Sequence, residues 1–152
     1  MKRIAKVKLK DGNVEIKILE DQQKAELETT FKSSERPHPD LELALSALEI
    51  HVRDILELDA GIWAGGIKIT GVTFSMSEET GVEGAVITGQ AKLDTSNAPF
   101  CFNTPHLAFA QYSPTGESPV MSDKAIRDVK KVREEAKKYI DGKRAQLEIP
   151  LG

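Results

Sequence analysis

The residues best suited to binding chemistry lie between positions 100 and 112. Four of the eight aromatic residues of the chain fall in this stretch, and a polar run separates them. Because Pro105 restricts Thr104 to extended conformations, the geometry of its neighbours is fixed. Rings beside hydrogen-bonding groups are typical of small-molecule pockets and protein interfaces. We therefore expect a site for a protein or a small, nucleotide-like ligand, with these contact residues: Phe102, Asn103, Thr104, His106, Phe109 and Tyr112.

A structural interpretation of the same stretch stays open. Phe100 and Phe102 alternate along a predicted strand and would then fill the core. His106 would make a structural hydrogen bond to a loop carbonyl. The two interpretations differ in whether the rings and the imidazole remain accessible.

A second set of candidates is basic. Lysine and arginine recur along a predicted C-terminal helix, and phosphate contacts need cations on one accessible face. Acidic residues at helical-neighbour spacing, as in Lys131–Glu135 and Glu134–Lys138, neutralise part of this charge, and no aromatic run accompanies it. A solvated helix face explains the pattern, and a single-stranded nucleic-acid-binding or recombination accessory protein is the alternative. Its contacts would be Arg127, Lys130, Lys131, Lys137, Lys138 and Arg144.

Motifs for metal binding and catalysis are missing from the sequence. His38, His51 and His106 are scattered, and there is no HExxH, CxxC, GxSxG or phosphate-binding glycine loop. His51 reads as a surface or boundary residue, and Cys101, between two phenylalanines, reads as inert packing. We therefore predict a non-enzymatic protein without metal or cofactor. An enzyme of unrecognised class that uses His106, Asn103 or Cys101 is a third possibility.

Composition and charge describe an ordinary globular domain. The 152 residues carry a net charge of −3, which divides into +3 from Ser122 onward and −6 before it. No apolar stretch approaches the roughly 20 residues of a membrane span, and the N-terminal segment reads as a strand rather than a signal peptide. The single cysteine fits a reducing compartment. We expect a cytoplasmic protein that does not span a membrane.

Two hairpins are predicted from turn chemistry and alternation. Asp11-Gly12 favours a two-residue turn between strands Arg3–Lys10 and Asn13–Leu19. The resulting register pairs Leu9 with Val14, Val7 with Ile16, Ala5 with Ile18, Lys8 with Glu15, and Lys6 with Lys17.

The second hairpin joins Ile67–Met76 to Ala85–Leu93 through the polar turn Ser77–Gly84. Each strand contains the tripeptide Ile-Thr-Gly, and alternation changes phase at Gly71. A glycine at a phase change indicates a bulge, or a place where another backbone or a ligand comes close.

Two helices and two further strands complete the expected order. Strands are expected at Lys24–Lys32 and Phe100–Asn103, and a structureless loop over Thr104–Met121. One helix should run from Asp40, its N-cap, to about Asp59. The other should span Asp123–Ile140 after the cap Ser122, and its predicted buried stripe is Ile126, Val129, Val132, Ala136 and Ile140.

The order β-β-β-α-β-β-β-α predicts an α+β fold, with a largely antiparallel sheet and two helices packed on it. Residues 1–142 should form a single domain, and residues 143–152 a C-terminal tail. A sheet of this type leaves edges that association can cover, so we expect a homo-oligomer.

Three segments also carry a resemblance: ITGVTFSMSEETGVEGAVITGQAKL, FCFNTPH and KKYIDGKRAQ. Together they resemble small uncharacterised proteins of bacteriophages and mobile elements. The resemblance implies action inside a bacterial cell. It also implies three non-catalytic roles: inhibition of a host defence protein, sequestration of a small signalling ligand, or assistance to DNA recombination.

Overall fold

The computed structural model describes residues 2–22, 24–59, 66–92, 98–111 and 119–142. Its strands pair in the order β3-β2-β1-β4-β5-β6 with β7 beside β5, every pair antiparallel, which confirms the α+β prediction. The strands are β1 (Lys2–Lys10), β2 (Asn13–Gln22), β3 (Ala25–Ser33), β4 (Ile67–Met76), β5 (Glu83–Lys92), β6 (Pro99–Asn103) and β7 (Leu107–Ala108). The helices are α1 (Pro39–Ser46), α2 (Glu49–Ile55) and α3 (Asp123–Ile140).

The first hairpin has the predicted turn and most of the predicted register. Asp11 and Gly12 both have positive φ, at 53° and 80°, as the mirror-image turn requires. Pairing follows the prediction from the turn to Lys6↔Lys17, after which a bulge places Ile4, not Ala5, opposite Ile18. The predicted Ala5–Ile18 pair is therefore wrong, because one extra residue enters β1 at that point.

The second hairpin contains the bulge that its phase change predicts. The β4–β5 register shifts between Ile69 and Gly71. Close approach also occurs there: a Cβ on Gly71 would lie 2.5 Å from the carbonyl oxygen of Val7 on β1. Gly89, in the second Ile-Thr-Gly, is crowded in the same way by the ring of Phe102, at 2.6 Å. Each glycine therefore makes room for a neighbouring strand.

The predicted first helix is present as two consecutive helices, α1 and α2. Its N-cap is His38 rather than Asp40, because Nδ1 of His38 accepts a hydrogen bond from the Asp40 backbone N–H at 3.1 Å. Pro39 occupies the first helical position, where its missing N–H costs nothing. Between the helices the Leu48 N–H bonds to the Leu45 carbonyl, a tighter turn than an α-helix makes.

The segment predicted as a loop is partly ordered into the sheet. Leu107 and Ala108 form β7 against β5, and Ala108 bridges Val120 in parallel. Residues 112–118 of that predicted loop lie outside the described residues. The structureless-loop prediction is therefore wrong for Leu107, Ala108 and Val120, because a two-residue strand gives no alternation pattern to read.

Helix α3 has the predicted bounds and the predicted cap, with Ser122 Oγ accepting from the Ala125 N–H. Its buried stripe is rotated from the prediction: Ile126 and Ile140 are only half-buried. The residues that are buried instead include a tyrosine and a glutamate, which an apolar pattern does not select. The buried set is Ala125, Val129, Val132, Glu135, Ala136 and Tyr139.

One face of the sheet and the helices share a single apolar core, with residues of β1, β2, β4 and β5 against α1, α2 and α3. The opposite face carries the alternate, polar residues of the same strands. In the described part of the chain, no helix is long and apolar enough to cross a membrane. The predicted tail, residues 143–152, lies outside the described residues.

Candidate functional site

Strands β1 and β4 separate at one end of the sheet. They pair only where Lys6–Lys8 meets Gly71–Thr73. Beyond the bulge, the start of β1 continues its pairing with β2 alone. Between the separated ends, a cavity of about 570 Å³ opens beneath the C-terminal half of α3. We call it the cleft, and its volume falls in the range of roughly 300–1,000 Å³ that small-molecule sites occupy.

The cleft combines apolar walls with charged groups at its margins. Its apolar side chains come from β1, β2, β4 and α3: Ile4, Ile18, Phe74, Met76 and Ile140. Its cations outnumber its acids, with Lys2, Arg3, Arg133 and Lys137 against Glu83, Glu134 and Asp141. Apolar side chains together with several charged groups can orient an amphipathic molecule, one that has both an apolar body and a charge.

Arg3 is the most unusual side chain in the cleft. Its Nε is shielded from solvent and has no hydrogen-bond partner among the described residues. A shielded polar group without a partner costs about 1–3 kcal/mol, and more when the group is charged. A ligand in the cleft would remove that cost if the side chain turned so that this nitrogen faced it.

Arg133 of α3 is held in place over an aromatic ring. Its guanidinium lies 5.3 Å from the ring centre of Phe74, within the distance of a cation–π contact. It also donates to the Glu83 carboxylate at the start of β5. Because two partners hold this guanidinium, its position in the wall is preorganised.

The predicted residue His106 reaches this region through Ser75. The Ser75 hydroxyl and His106 Nε2 share a hydrogen bond of 2.7 Å, and Ser75 lines the cleft. The imidazole fits because residue 84 is glycine: a Cβ there would lie 2.5 Å from Nε2. A hydroxyl beside a base is also the first half of a nucleophilic triad. Among the described residues, no carboxylate bonds to the other ring nitrogen of His106.

The other residues predicted for the aromatic stretch have different environments. Phe102 packs in the core at 9% exposure, where its ring lies against Gly89. Thr104 is buried and its hydroxyl accepts from the Ile87 N–H at 2.9 Å. Asn103 is exposed and accepts from the Thr88 hydroxyl at 2.8 Å. Phe109 is half-buried beneath Lys130. Tyr112 lies outside the described residues.

The predicted basic helix presents its cations to solvent, but some of them have contacts. Lys138 pairs with the buried Glu135 at 3.2 Å, and Lys130 lies 5.7 Å from the ring centre of Phe109. Lys137 lines the cleft. Arg127 and Lys131 are exposed. Arg144, the remaining predicted contact, lies outside the described residues.

The structure corrects the predictions for His51 and Cys101. His51 is buried at 5% exposure, and its Nε2 lies 2.7 Å from the Asp128 carboxylate on α3. Its partner is 77 positions away, so no local pattern reveals it. Cys101 is exposed rather than packed, because it takes the outward position between two alternating phenylalanines.

Sequence reasoning missed Arg3 and the cleft itself. Arg3 reads as one of several cations in a strand that alternates charged and apolar residues. The signal that places it in a cleft is the bulge in β1, and that bulge has no glycine or proline to mark it.

The described residues contain no group of three or more histidine, cysteine, aspartate or glutamate side chains able to hold a metal ion. What the cleft can do chemically is hold an anion with an apolar body. Comparison with known proteins gives no match to a family model, a curated protein or a solved structure. The bacteriophage resemblance therefore stays a prediction.

Proposed function

We propose that this protein is a non-enzymatic binding protein that holds a small organic anion in the cleft. The ligand would combine an apolar or aromatic body with a phosphate or carboxylate, a class that includes nucleotide-like molecules. Sequestration of such a ligand inside a bacterial cell is one of the three roles that the bacteriophage resemblance implies, and it is the one that fits the cleft. The protein would be a cytoplasmic homo-oligomer.

The solvent-shielded Nε of Arg3 carries this proposal. Folded proteins leave few buried donors unsatisfied, because each one gives up its hydrogen bonds to water. The guanidinium donates in a planar fork that matches carboxylate and phosphate oxygens. Arg3 is half-buried and lines the cleft, so an anion there can approach its guanidinium. The shielded Nε has no competing partner among the described residues, and it would gain an acceptor if the side chain turned toward the ligand.

The platform formed by Phe74 and Arg133 supports a ligand with a flat or apolar body. Both side chains line the cleft, with Ile4 and Ile140 nearby. Burial of apolar surface contributes roughly 25 cal/mol per Å², so the walls can supply affinity while the cations fix orientation. A site that bound its ligand through charge alone would not need apolar walls.

The stretch predicted as the binding loop makes hydrogen bonds to residues that form the wall of the cleft. His106 bonds to Ser75 in the wall, and the Phe109 N–H donates to the Glu83 carbonyl at 2.8 Å. Glu83 in turn fixes Arg133. In this proposal the stretch positions the cleft wall, in addition to any contact that Asn103 or His106 makes with a partner.

Binding of 8-anilinonaphthalene-1-sulfonate, an aromatic anion, tests the proposal by fluorescence titration. The wild type should bind it, and Arg3→Met should weaken binding about 10-fold or more, because a charged hydrogen bond contributes roughly 1.5–3 kcal/mol. Arg3→Lys keeps the charge but removes the forked donor, so it should recover only part of the affinity.

Arg36→Met is the matched control. Arg36 is exposed and lines a different cavity, of about 630 Å³, near Asp11 and Glu42. If Arg3→Met binds the anion as tightly as wild type, or if both variants lose the same affinity, the cleft is not the site. Circular dichroism of each variant separates weakened binding from a disrupted fold.

Native mass spectrometry of protein purified from its host tests the assembly and the ligand together. A retained small anion would support the proposal, and the same spectrum gives the number of subunits.

An exposed edge strand is the reason to expect an oligomer. The described edge strand β3 carries an exposed leucine, Leu27, at 47% exposure. Edge strands with accessible backbone are the surfaces through which sheets associate.

Single-stranded nucleic-acid binding or a role in recombination is the second candidate function. The exposure of Arg127 and Lys131 on α3 favours it. The contacts of Lys130 and Lys138 reduce the free charge of that helix. Titration of wild-type protein with a labelled oligonucleotide at rising ionic strength tests it, since phosphate contacts weaken steeply with salt.

A further inference from the structure

The face of the sheet opposite the helices forms a regular polar grid. One row crosses four strands through Lys8, Gly71, Thr88 and Asn103. The next row, through Lys6, Thr73 and Val86, contains one apolar side chain. We call this surface the outer face, and its polar side chains include Lys6, Lys8, Lys10, Lys68, Thr73, Thr88, Gln90, Lys92 and Asn103.

Charge is unevenly divided across the outer face. Strands β1, β4 and β6 contain no acidic residue, and the one acid of β5, Glu83, is paired with Arg133. The acids of the sheet are concentrated on β2 and β3. The half of the outer face that β1, β4, β5 and β6 form is therefore basic, although the whole chain is acidic.

The lysines of the outer face form no ion pair within the described part of the chain, although Glu15 stands opposite Lys8 across β1 and β2. Lys6, Lys8 and Lys68 have no ion pair there, while Lys17 is paired with Glu28 at 3.1 Å. Lys6 even stands directly opposite Lys17 across β1 and β2, a like-charge arrangement that destabilises a sheet. An anion above Lys6 would relieve this repulsion.

We propose that the outer face binds single-stranded nucleic acid. Lys6 and Lys8 repeat at every second residue of β1, about 6.6–6.8 Å apart, and face phosphates of the backbone. The hydroxyl and amide groups of Thr88, Gln90 and Asn103 lie on the adjacent strands and face the edges of unpaired bases. This surface is separate from the cleft, so the inference does not depend on the proposed function.

A single strand suits this surface better than a duplex does. Base edges that the amides can reach are free only when bases are unpaired. A flexible backbone can also follow the twist of about 20–25° between neighbouring strands. No phenylalanine, tyrosine or tryptophan lies at the described outward strand positions, and the imidazole of His106 beside Gly84 offers a small ring, so stacking should contribute little. The affinity should therefore depend on charge and vary little with base sequence.

Fluorescence anisotropy with a labelled 20-nucleotide oligo(dT) tests the inference in the full-length protein. The triple variant Lys6→Gln, Lys8→Gln, Lys68→Gln should weaken binding about 10-fold at low salt. It should also flatten the dependence of log K on log salt by about 2, at roughly 0.7 for each phosphate that the variant no longer neutralises. The matched control Lys24→Gln, Arg36→Gln, Lys124→Gln removes the same charge from exposed positions that belong to neither candidate nucleic-acid surface, and it should change both quantities much less. The α3 variant Arg127→Gln, Lys130→Gln, Lys131→Gln tests the competing surface.

Three results would overturn the inference. These are absence of oligo(dT) binding by the wild type at low salt, a larger decrease of affinity in the α3 variant than in the outer-face variant, and tighter binding of a duplex of the same length. Replacement of the three lysines by arginine keeps the charge and should preserve binding. Retained affinity in that variant excludes misfolding of the sheet as the cause of the weaker binding.

Discussion

The cleft and the outer face hold cations in opposite environments, although β1 and β4 contribute to both. In the cleft, Arg133 rests against a ring and a carboxylate, and Arg3 has a dehydrated nitrogen. On the outer face, Lys6 and Lys8 stand among polar neighbours within reach of water. The cleft therefore favours one small ligand in one geometry. The outer face favours a polymer, which it would hold through several separate ionic contacts that salt weakens. The same formal charge thus supports two kinds of recognition because burial differs.

The largest effect should come from a change that disrupts both regions at once. In Gly71→Ala, the added Cβ would lie 2.5 Å from the Val7 carbonyl and 3.3 Å from Lys8 Cα, both backbone atoms that cannot rotate away. We expect the free energy of unfolding to fall by about 2–4 kcal/mol, and both binding activities to disappear. Chemical denaturation measures the change in stability, and the exposed Thr73→Ala on the same strand is the control. A Gly71→Ala protein as stable as Thr73→Ala would show that β1 and β4 are not this closely packed.

Salt should separate the two regions next. Three phosphate contacts of a single strand give a slope near −2, so oligo(dT) affinity should fall about 20-fold between 50 and 200 mM salt. Binding of 8-anilinonaphthalene-1-sulfonate in the cleft should change about 2-fold or less, because partly buried charge is screened weakly. Parallel titrations of one protein preparation measure both. Equal salt dependence would contradict the distinction between the regions.

The smallest effect should come from His106→Ala. The variant removes the hydrogen bond to Ser75 behind the cleft, so anion affinity in the cleft should fall about 3-fold, at roughly 0.5–1 kcal/mol. The imidazole lies beside Gly84 on the outer face, but the lysines there are untouched, so oligo(dT) affinity should fall less than anion affinity does. His38→Ala, in the helix cap, is the control for removal of an imidazole. A larger decrease of oligo(dT) binding than of anion binding in His106→Ala would contradict the role of the histidine in supporting the cleft.

The sequence by itself determined the local elements. Asp11-Gly12 set the register of the first hairpin, and the phase change at Gly71 located the bulge of β4. Ser122 and the helical spacing defined α3 to its observed ends. In each case the information lies between residues that are near neighbours in the chain, where turn chemistry and side-chain period act directly.

Only the tertiary structure decided which elements meet. The pairing of β1 with β4 creates the row from Lys8 to Asn103, and the end of that pairing opens the cleft beside Arg3. The contact of His51 with Asp128 likewise joins α2 to α3 across the core. The candidate residues Asn103 and His106 were identified from sequence, whereas Arg3, Phe74 and Ser75 were not. Pairing of distant strands depends on which arrangement buries the most apolar surface, and that quantity belongs to the whole chain rather than to any window of it.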